Sequence, residues 1–189
     1  MIGELPRKLS VNGIDYPIRT DFRDILKILI AFSDPELEDK EKTYICLFIL
    51  YETVEDIPEK DYAEAFKAAF QFIDCGASFG DEDAKKSPTV MDWEQDESII
   101  FPAINKVAGF ETRSAEYIHW WTFMGYYMEI SDGVFSNVLS VRAKKAKGKK
   151  LEKWEREFWN ANKKLCVLKP KRSKEEQDEI DRLNALLGE

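Results

Sequence analysis

Glu116-Tyr117-Ile118-His119-Trp120-Trp121-Thr122-Phe123-Met124-Gly125-Tyr126-Tyr127-Met128 is the stretch on which the reading of this chain turns. Aromatic or apolar residues stand at 117, 118, 120, 121, 123, 124, 126, 127 and 128. At 3.6 residues per turn they cover almost the whole circumference of a helix. The spacing predicts a helix over 114–129, opened by a Ser114 cap and buried on nearly all sides. Burial can come from the chain's own core or from another protein, since aromatic side chains serve both. Either way the segment is the structural centre.

Working outward, the pattern stays helical. Upstream, a helix is expected over 92–108 with Gly109 as its stop, its N-terminus favoured through the helix dipole by Asp92, Glu94, Asp96 and Glu97. Residues 77–90 mix small and charged side chains with Gly80 and Pro88, the composition of an exposed connector. The Asp81-Glu82-Asp83 run inside it lacks the spacing of a calcium loop. Further upstream, Phe22, Ile25, Leu26, Ile28, Leu29 and Phe32 recur at helical spacing, and helices follow over 38–51 and 59–74, the last stopped near Gly76. Asn12-Gly13, set between Leu9, Val11 and Ile14, Tyr16, Ile18, is a hairpin signal, and Pro17 marks an edge.

Downstream, Ser131-Asp132-Gly133 breaks the chain before a short helix carrying Val134, Phe135, Val138, Leu139 and Val141. A helix over 149–165 places Leu151, Trp154, Phe158 and Leu165 in one stripe with Trp159 beside it, and Pro170 ends that stretch. Ser173-Lys174-Glu175-Glu176 is a capping box ahead of Ile180, Leu183, Leu186 and Leu187. The expected fold is mainly α, a multi-helix globular protein with a small N-terminal β-hairpin. Its parts are a hairpin with helices over 1–76, a linker over 77–90, an aromatic-rich helical core over 91–141, and a basic then acidic helical region over 142–189.

Composition agrees. With 189 residues, 13% aromatic and 34% charged, the chain suits a soluble globular protein. Its start lacks the features of a secretory segment. The longest apolar run, Tyr44 to Tyr51, is far shorter than the roughly 20 residues a bilayer requires, so no membrane partner is expected. Cys46, Cys75 and Cys166 are widely spaced and odd in number, which reads as free thiols in a reducing compartment. The phosphate-binding loops, the nucleophile elbow and paired-cysteine motifs are all missing from the sequence. Glu116 and His119 have the spacing of one half of a di-iron carboxylate site, but a chain with one histidine cannot supply the second half. No cofactor, no metal and no enzymatic activity are expected; His119 reads as a packed or interfacial residue.

Charge is segregated. Residues 142–174 hold fourteen Lys or Arg against three Glu, a local +11, and because the whole chain carries −8 the remainder carries −19. Together with Trp154, Phe158 and Trp159, this segment could meet nucleic acid, an acidic protein surface, another copy of the chain, or only solvent. The strongly acidic remainder weighs against nucleic acid. Self-association of such a polar molecule would be head-to-tail.

Met91-Asp92-Trp93-Glu94-Gln95-Asp96-Glu97, then Ile99-Ile100-Phe101, Gly109 and Glu116 to Phe123, resemble the bacteriophage gene-product-15 family of Gram-positive phages. The resemblance reaches back through the 11–18 hairpin, Thr20-Asp21-Phe22-Arg23 and Asp34-Pro35-Glu36-Leu37, and so covers most of 9–142. It implies a non-enzymatic tail-assembly chaperone that binds the tape-measure protein and helps recruit tail-tube subunits. Such a protein works in the host bacterial cytoplasm and is absent from the mature virion. The alternative is a nucleic-acid-binding or packaging-associated phage protein using 142–174. The residues expected to meet partners are Trp93, Phe101, Tyr117, Trp120, Trp121, Phe123 and Tyr127 in the centre, and Arg142, Lys144, Lys145, Trp154 and Trp159 in the basic segment.

Overall fold

Strands β1 (Lys8–Val11) and β2 (Ile14–Pro17) pair antiparallel in the register Lys8 to Pro17 and Val11 to Ile14. The two-residue turn needs positive φ at both positions, and Asn12 (49°) and Gly13 (85°) supply it. These lie in a computed structural model that describes residues 3–76 and 88–187, Leu187 by its backbone alone. Nine α-helices follow among those residues, and the mainly helical fold with one N-terminal hairpin is as expected. Val11 and Tyr16 point the hairpin's inner face into the core, while Ile14 stays exposed.

Helices α1 (Phe22–Phe32), α2 (Asp39–Leu50) and α3 (Tyr62–Ile73) build the first part of that core. Asp21 caps α1 by accepting from the Arg23 amide at 3.0 Å. The end of α2 is closed from a distance: the Arg19 guanidinium donates to the carbonyls of Phe48, Ile49, Tyr51 and Glu52 at 2.7–3.0 Å, satisfying groups a helix end leaves open. Helix α3 ends in a Schellman turn, with Cys75 (φ 56°) and Gly76 (φ 75°) both left-handed and the Gly76 amide donating to Gln71 O at 2.8 Å.

The central stretch differs from its reading. Helix α4 spans Glu97–Ala108, and α5 only Trp120–Met128. Residues 112–114 form a short 3₁₀ turn; Glu116 lies before the α5 cap, and the expected helix over 114–129 loses its first turn and a half. The reason is tertiary: Thr20–Phe22 and Ile118–Trp120 pair as a short antiparallel bridge, through Phe22 N to Ile118 O at 3.0 Å and Trp120 N to Thr20 O at 2.7 Å. An extended segment cannot also be helical, so Glu116 and His119 do not share a helix face, and Ser114 caps nothing in α5. His119 caps it instead: its Nδ1 accepts from the Trp121 amide at 3.1 Å. The two indoles then reach back to α3, Trp120 Nε1 donating to Ile73 O and Trp121 Nε1 to Phe72 O, both at 2.8 Å.

One hydrophobic cluster runs from Val11 to Phe135, so residues on both sides of 77–90 share a core. Phe123 is its aromatic hub, stacked on Phe22 at 4.3 Å and meeting Trp120, Phe101 and Trp93 at 6.0–6.4 Å. The expected connector falls mostly on 77–87, outside the described residues, together with the Asp81-Glu82-Asp83 run.

Helix α6 (Val134–Ala146) starts in the core at Phe135 and leads into the basic region, followed by α7 (Lys153–Ala161), α8 (Lys163–Cys166) and α9 (Lys174–Leu187). The single helix expected over 149–165 is therefore two, broken at Asn162; of its stripe, Trp154 is about half exposed. A second small cluster of Val138, Val141 and Cys166 joins α6 to α8.

Arg142 binds this region to the rest. All five of its N–H groups have acceptors: Asp96 Oδ2 at 2.7 Å and Oδ1 at 2.8 Å, Val90 O at 2.9 Å, Cys166 O at 3.1 Å, and Leu165 O. Both side chains of the pair are almost wholly buried. Asp96 was expected to serve the α4 dipole; its carboxylate instead turns to Arg142 and to the Asp92 amide. Breaking a buried pair from one side strands the other charge, so Arg142→Met and Asp96→Asn should each cost about 3–5 kcal/mol, and the double variant clearly less than their sum. Denaturant unfolding of the three proteins measures this, and additivity would contradict the coupling.

Candidate functional site

Helix α1 is more apolar than one core-facing stripe requires. Phe22, Ile25 and Ile28 are buried, while Leu26 and Ile30 form a second, half-buried stripe beside them. That second stripe is one wall of a groove. Trp93 and Glu94 in the turn before α4 and Glu97 on α4 form the other wall, and Phe101 and Arg113 complete the lining. The groove has a volume of about 450 Å³. A smaller depression lined by Pro35, Lys171 and Arg172 adjoins it, sharing Ile30 and Glu94.

The groove is apolar at its floor and charged at its rim. Phe22 and Phe101 lie beneath two guanidinium groups, Arg23 at 4.6 Å and Arg113 at 4.9 Å from the respective ring centres. Arg23 is steadied by a bidentate pair with Asp21 and by backbone carbonyls at 113 and 115. Arg113 bonds Glu111 at 2.8 Å, and that hydrogen bond holds the Glu111 carboxyl well below the ordinary range, at about 2. Glu94 and Glu97 give the opposite sign on the α4 side. Such a trough, apolar with complementary charges on its two lips, suits an apolar helix edge laid into it.

The structure places the expected partner residues unevenly. Trp120, Phe123, Phe101 and Arg142 are buried within the chain and present no free face, apart from Phe101 as the groove floor. Trp93, Trp121 and Tyr127 are half-buried, and of these Trp93 lines the groove. Tyr117 is exposed, its hydroxyl 2.6 Å from Thr20 Oγ1. In the basic segment Lys144 is engaged by the buried Glu155, Lys145 sits 3.8 Å over the Trp159 ring, and Trp154 is exposed. Leu26, Ile30, Arg23, Lys27 and Arg113 were not expected from sequence to meet partners, although the surplus apolar stripe of α1 was a legible sign. The stacked Tyr44 and Phe48 on α2, both about half exposed, were also missed.

The lone histidine and the three cysteines are governed chiefly by burial. His119 is buried; with Nδ1 accepting from Trp121, its Nε2–H donates to Pro6 O at 2.9 Å, so both nitrogens are occupied by backbone rather than by a carboxylate. Burial pushes its pKa below the ordinary histidine value. Burial likewise pushes the Cys46 thiol up to about 12, Cys75 to about 11, and Cys166 above its usual value, so these thiols hold little thiolate at neutral pH. Among the described residues no group of three or more His, Cys, Asp or Glu could hold a metal ion, and no helix is long and apolar enough to cross a membrane.

A family model described as bacteriophage Gp15 protein matches residues 1–168. No curated protein and no solved structure shows significant similarity to the chain.

His119 supplies a pH test. Because its folded pKa is lowered, the unfolded chain takes up the proton first, and stability falls as pH drops through the unfolded value near 6.5. His119→Asn keeps an acceptor for the Trp121 amide while removing the titration. The wild-type unfolding midpoint should fall between pH 7 and pH 5 by more than that of the variant, the comparison cancelling the carboxylates. Parallel profiles would show that His119 is not the group responsible.

Proposed function

The chain belongs to the bacteriophage Gp15 family, and from that premise we propose that it is a non-enzymatic tail-assembly chaperone that binds the tape-measure protein and helps recruit tail-tube subunits. It acts in the host bacterial cytoplasm and leaves before the virion is complete. The observation that carries this reading is the groove between α1 and α4. A protein that keeps a long helical partner soluble needs an apolar surface narrow enough for one helix edge and polar enough at its lips to release it.

The α1 stripe from Phe22 to Ile30 spans about 12 Å at 1.5 Å per residue, room for roughly two turns of a partner helix. Leu26, Ile30 and Trp93 would supply the apolar contact; Arg23, Lys27 and Glu97 would set its direction. A chain that covers a long repetitive partner has to bind weakly at each place and many times over, which a short groove favours over a deep pocket.

The alternative, a nucleic-acid-binding or packaging-associated protein, has the exposed cations of 145–164 in its favour. It requires retention that collapses with salt as counterions are released. Tagged protein recovered from induced lysogen cells, with and without nuclease, separates the two. Tape-measure and tube proteins surviving nuclease treatment are the expected result; nucleic acid with no tail protein would sink the proposal. Leu26→Glu, at a half-buried position that also packs on the edge of the core, should lower tape-measure recovery by about tenfold, the loss of one apolar anchor of ~1.4 kcal/mol, with circular dichroism checking that the variant is folded.

A further inference from the structure

Helix α9 lies beyond the family-matched region and stands apart from the core. Ile180, Leu183 and Leu186 line one side of it, yet none joins either hydrophobic cluster, and Leu186 is 82% exposed. Fourteen residues long, it extends about 21 Å. Its formation is well specified: Ser173 and Glu176 make a reciprocal capping box, with Glu176 N to Ser173 Oγ at 3.2 Å and Ser173 N to Glu176 Oε2 at 3.1 Å. A capped helix whose apolar edge leaves Leu183 and Leu186 exposed is open to a partner.

The charge on α9 says what that partner is. Five acidic residues face two basic ones along its length, and among the described residues Glu175, Asp178 and Glu179 have no cation within ion-pair distance. The opposite situation holds around α7 and α8. Lys149, Lys150, Lys153, Arg156, Lys163 and Lys164 are all exposed and, among the described residues, have no carboxylate within ion-pair distance. Trp154, about half exposed, offers an apolar anchor among them. An acidic helix with an apolar edge and a basic surface with an exposed tryptophan are complementary.

Within one chain no ion pair joins them among the described residues, and the root of α9 is fastened elsewhere. Lys169 exchanges two backbone hydrogen bonds with the Gln95 amide group, both 2.9 Å. Lys171 reaches Glu94 at 2.7 Å, Ser33 at 2.9 Å and Asp92 at 3.0 Å, and the Lys174 amide donates to Glu36. These contacts fasten the start of α9 to the end of α1 and the turn before α4. We propose that α9 of one copy docks on the α7–α8 surface of a second copy, a head-to-tail contact that leaves a free arm and a free surface at the two ends and so can repeat. The inference is independent of the tape-measure reading, since it concerns the purified chain alone.

The test is sedimentation of the full-length protein over a range of concentrations, in low and high salt. The weight-average mass should at least double with concentration at low salt and fall back at high salt. Glu175→Lys with Glu179→Lys reverses the arm; Lys153→Glu with Arg156→Glu reverses the surface. All four positions are exposed, so folding should persist, as circular dichroism would confirm. Each double variant alone should stay monomeric, and an equal mixture should regain association because opposite signs again face each other. A wild-type chain that stays monomeric at every concentration, including one whose α9 is protected from proteolysis by its own body, overturns the proposal. So does a mixture that fails to associate, or an oligonucleotide shift lost in Lys153→Glu with Arg156→Glu while the mass never changes.

Discussion

A buried guanidinium ties the C-terminal helices to the turn before α4. Arg142, standing on α6, donates to Val90 and Asp96 before α4 and to Leu165 and Cys166 at the end of α8, and no donor is left over. Burying a charge costs several kcal/mol unless its partner and all its hydrogen bonds are in place, so only one arrangement of these elements is tolerable. Asp96 fixes where α4 begins, and α4 with α1 forms the groove. The position of Trp93, Glu94 and Glu97 on the groove wall follows from that anchor.

The aromatic centre works by a similar economy of polar tips. Trp120 and Trp121 bury their ring surface, yet each spends its N–H on a carbonyl at the end of α3, and His119 spends both nitrogens on backbone. Helix ends that would need water are closed by side chains from elsewhere, as Arg19 does for α2. Among the described residues no buried side-chain nitrogen or oxygen lacks a partner. Rings that join the helix ends in this way fix the orientation of helices as well as their burial.

The basic segment is divided between two uses. Arg142, Lys144 and Lys171 are drawn into internal pairs that fold the C-terminal region, whereas most of the remaining cations face solvent. Counting charge along the chain treats them alike. Their separation depends on which carboxylates lie opposite, and Asp96, Glu155 and Asp92 come from two different regions of the sequence.

Periodicity and turn chemistry determined the helical class, the hairpin, the α1 to α3 succession, the Ser131 to Gly133 break and the α9 cap, because each depends on residues within one or two turns of each other. The family was also legible, carried by local motifs in a chain whose match extends over 1–168. The long central helix was not legible: its aromatic spacing is helical, but pairing with Thr20–Phe22, some hundred residues away, pulls 118–120 into extended form. Nor was the candidate site, since an aromatic residue announces burial without saying whether its own chain or another supplies it. Trp120 and Phe123 are covered from within because α5 packs among α1, α3 and α4, whereas Leu26 and Ile30 line the open groove between α1 and α4. That decision belongs to the tertiary structure: exposure depends on which distant elements stand next to a side chain, and no local pattern encodes it.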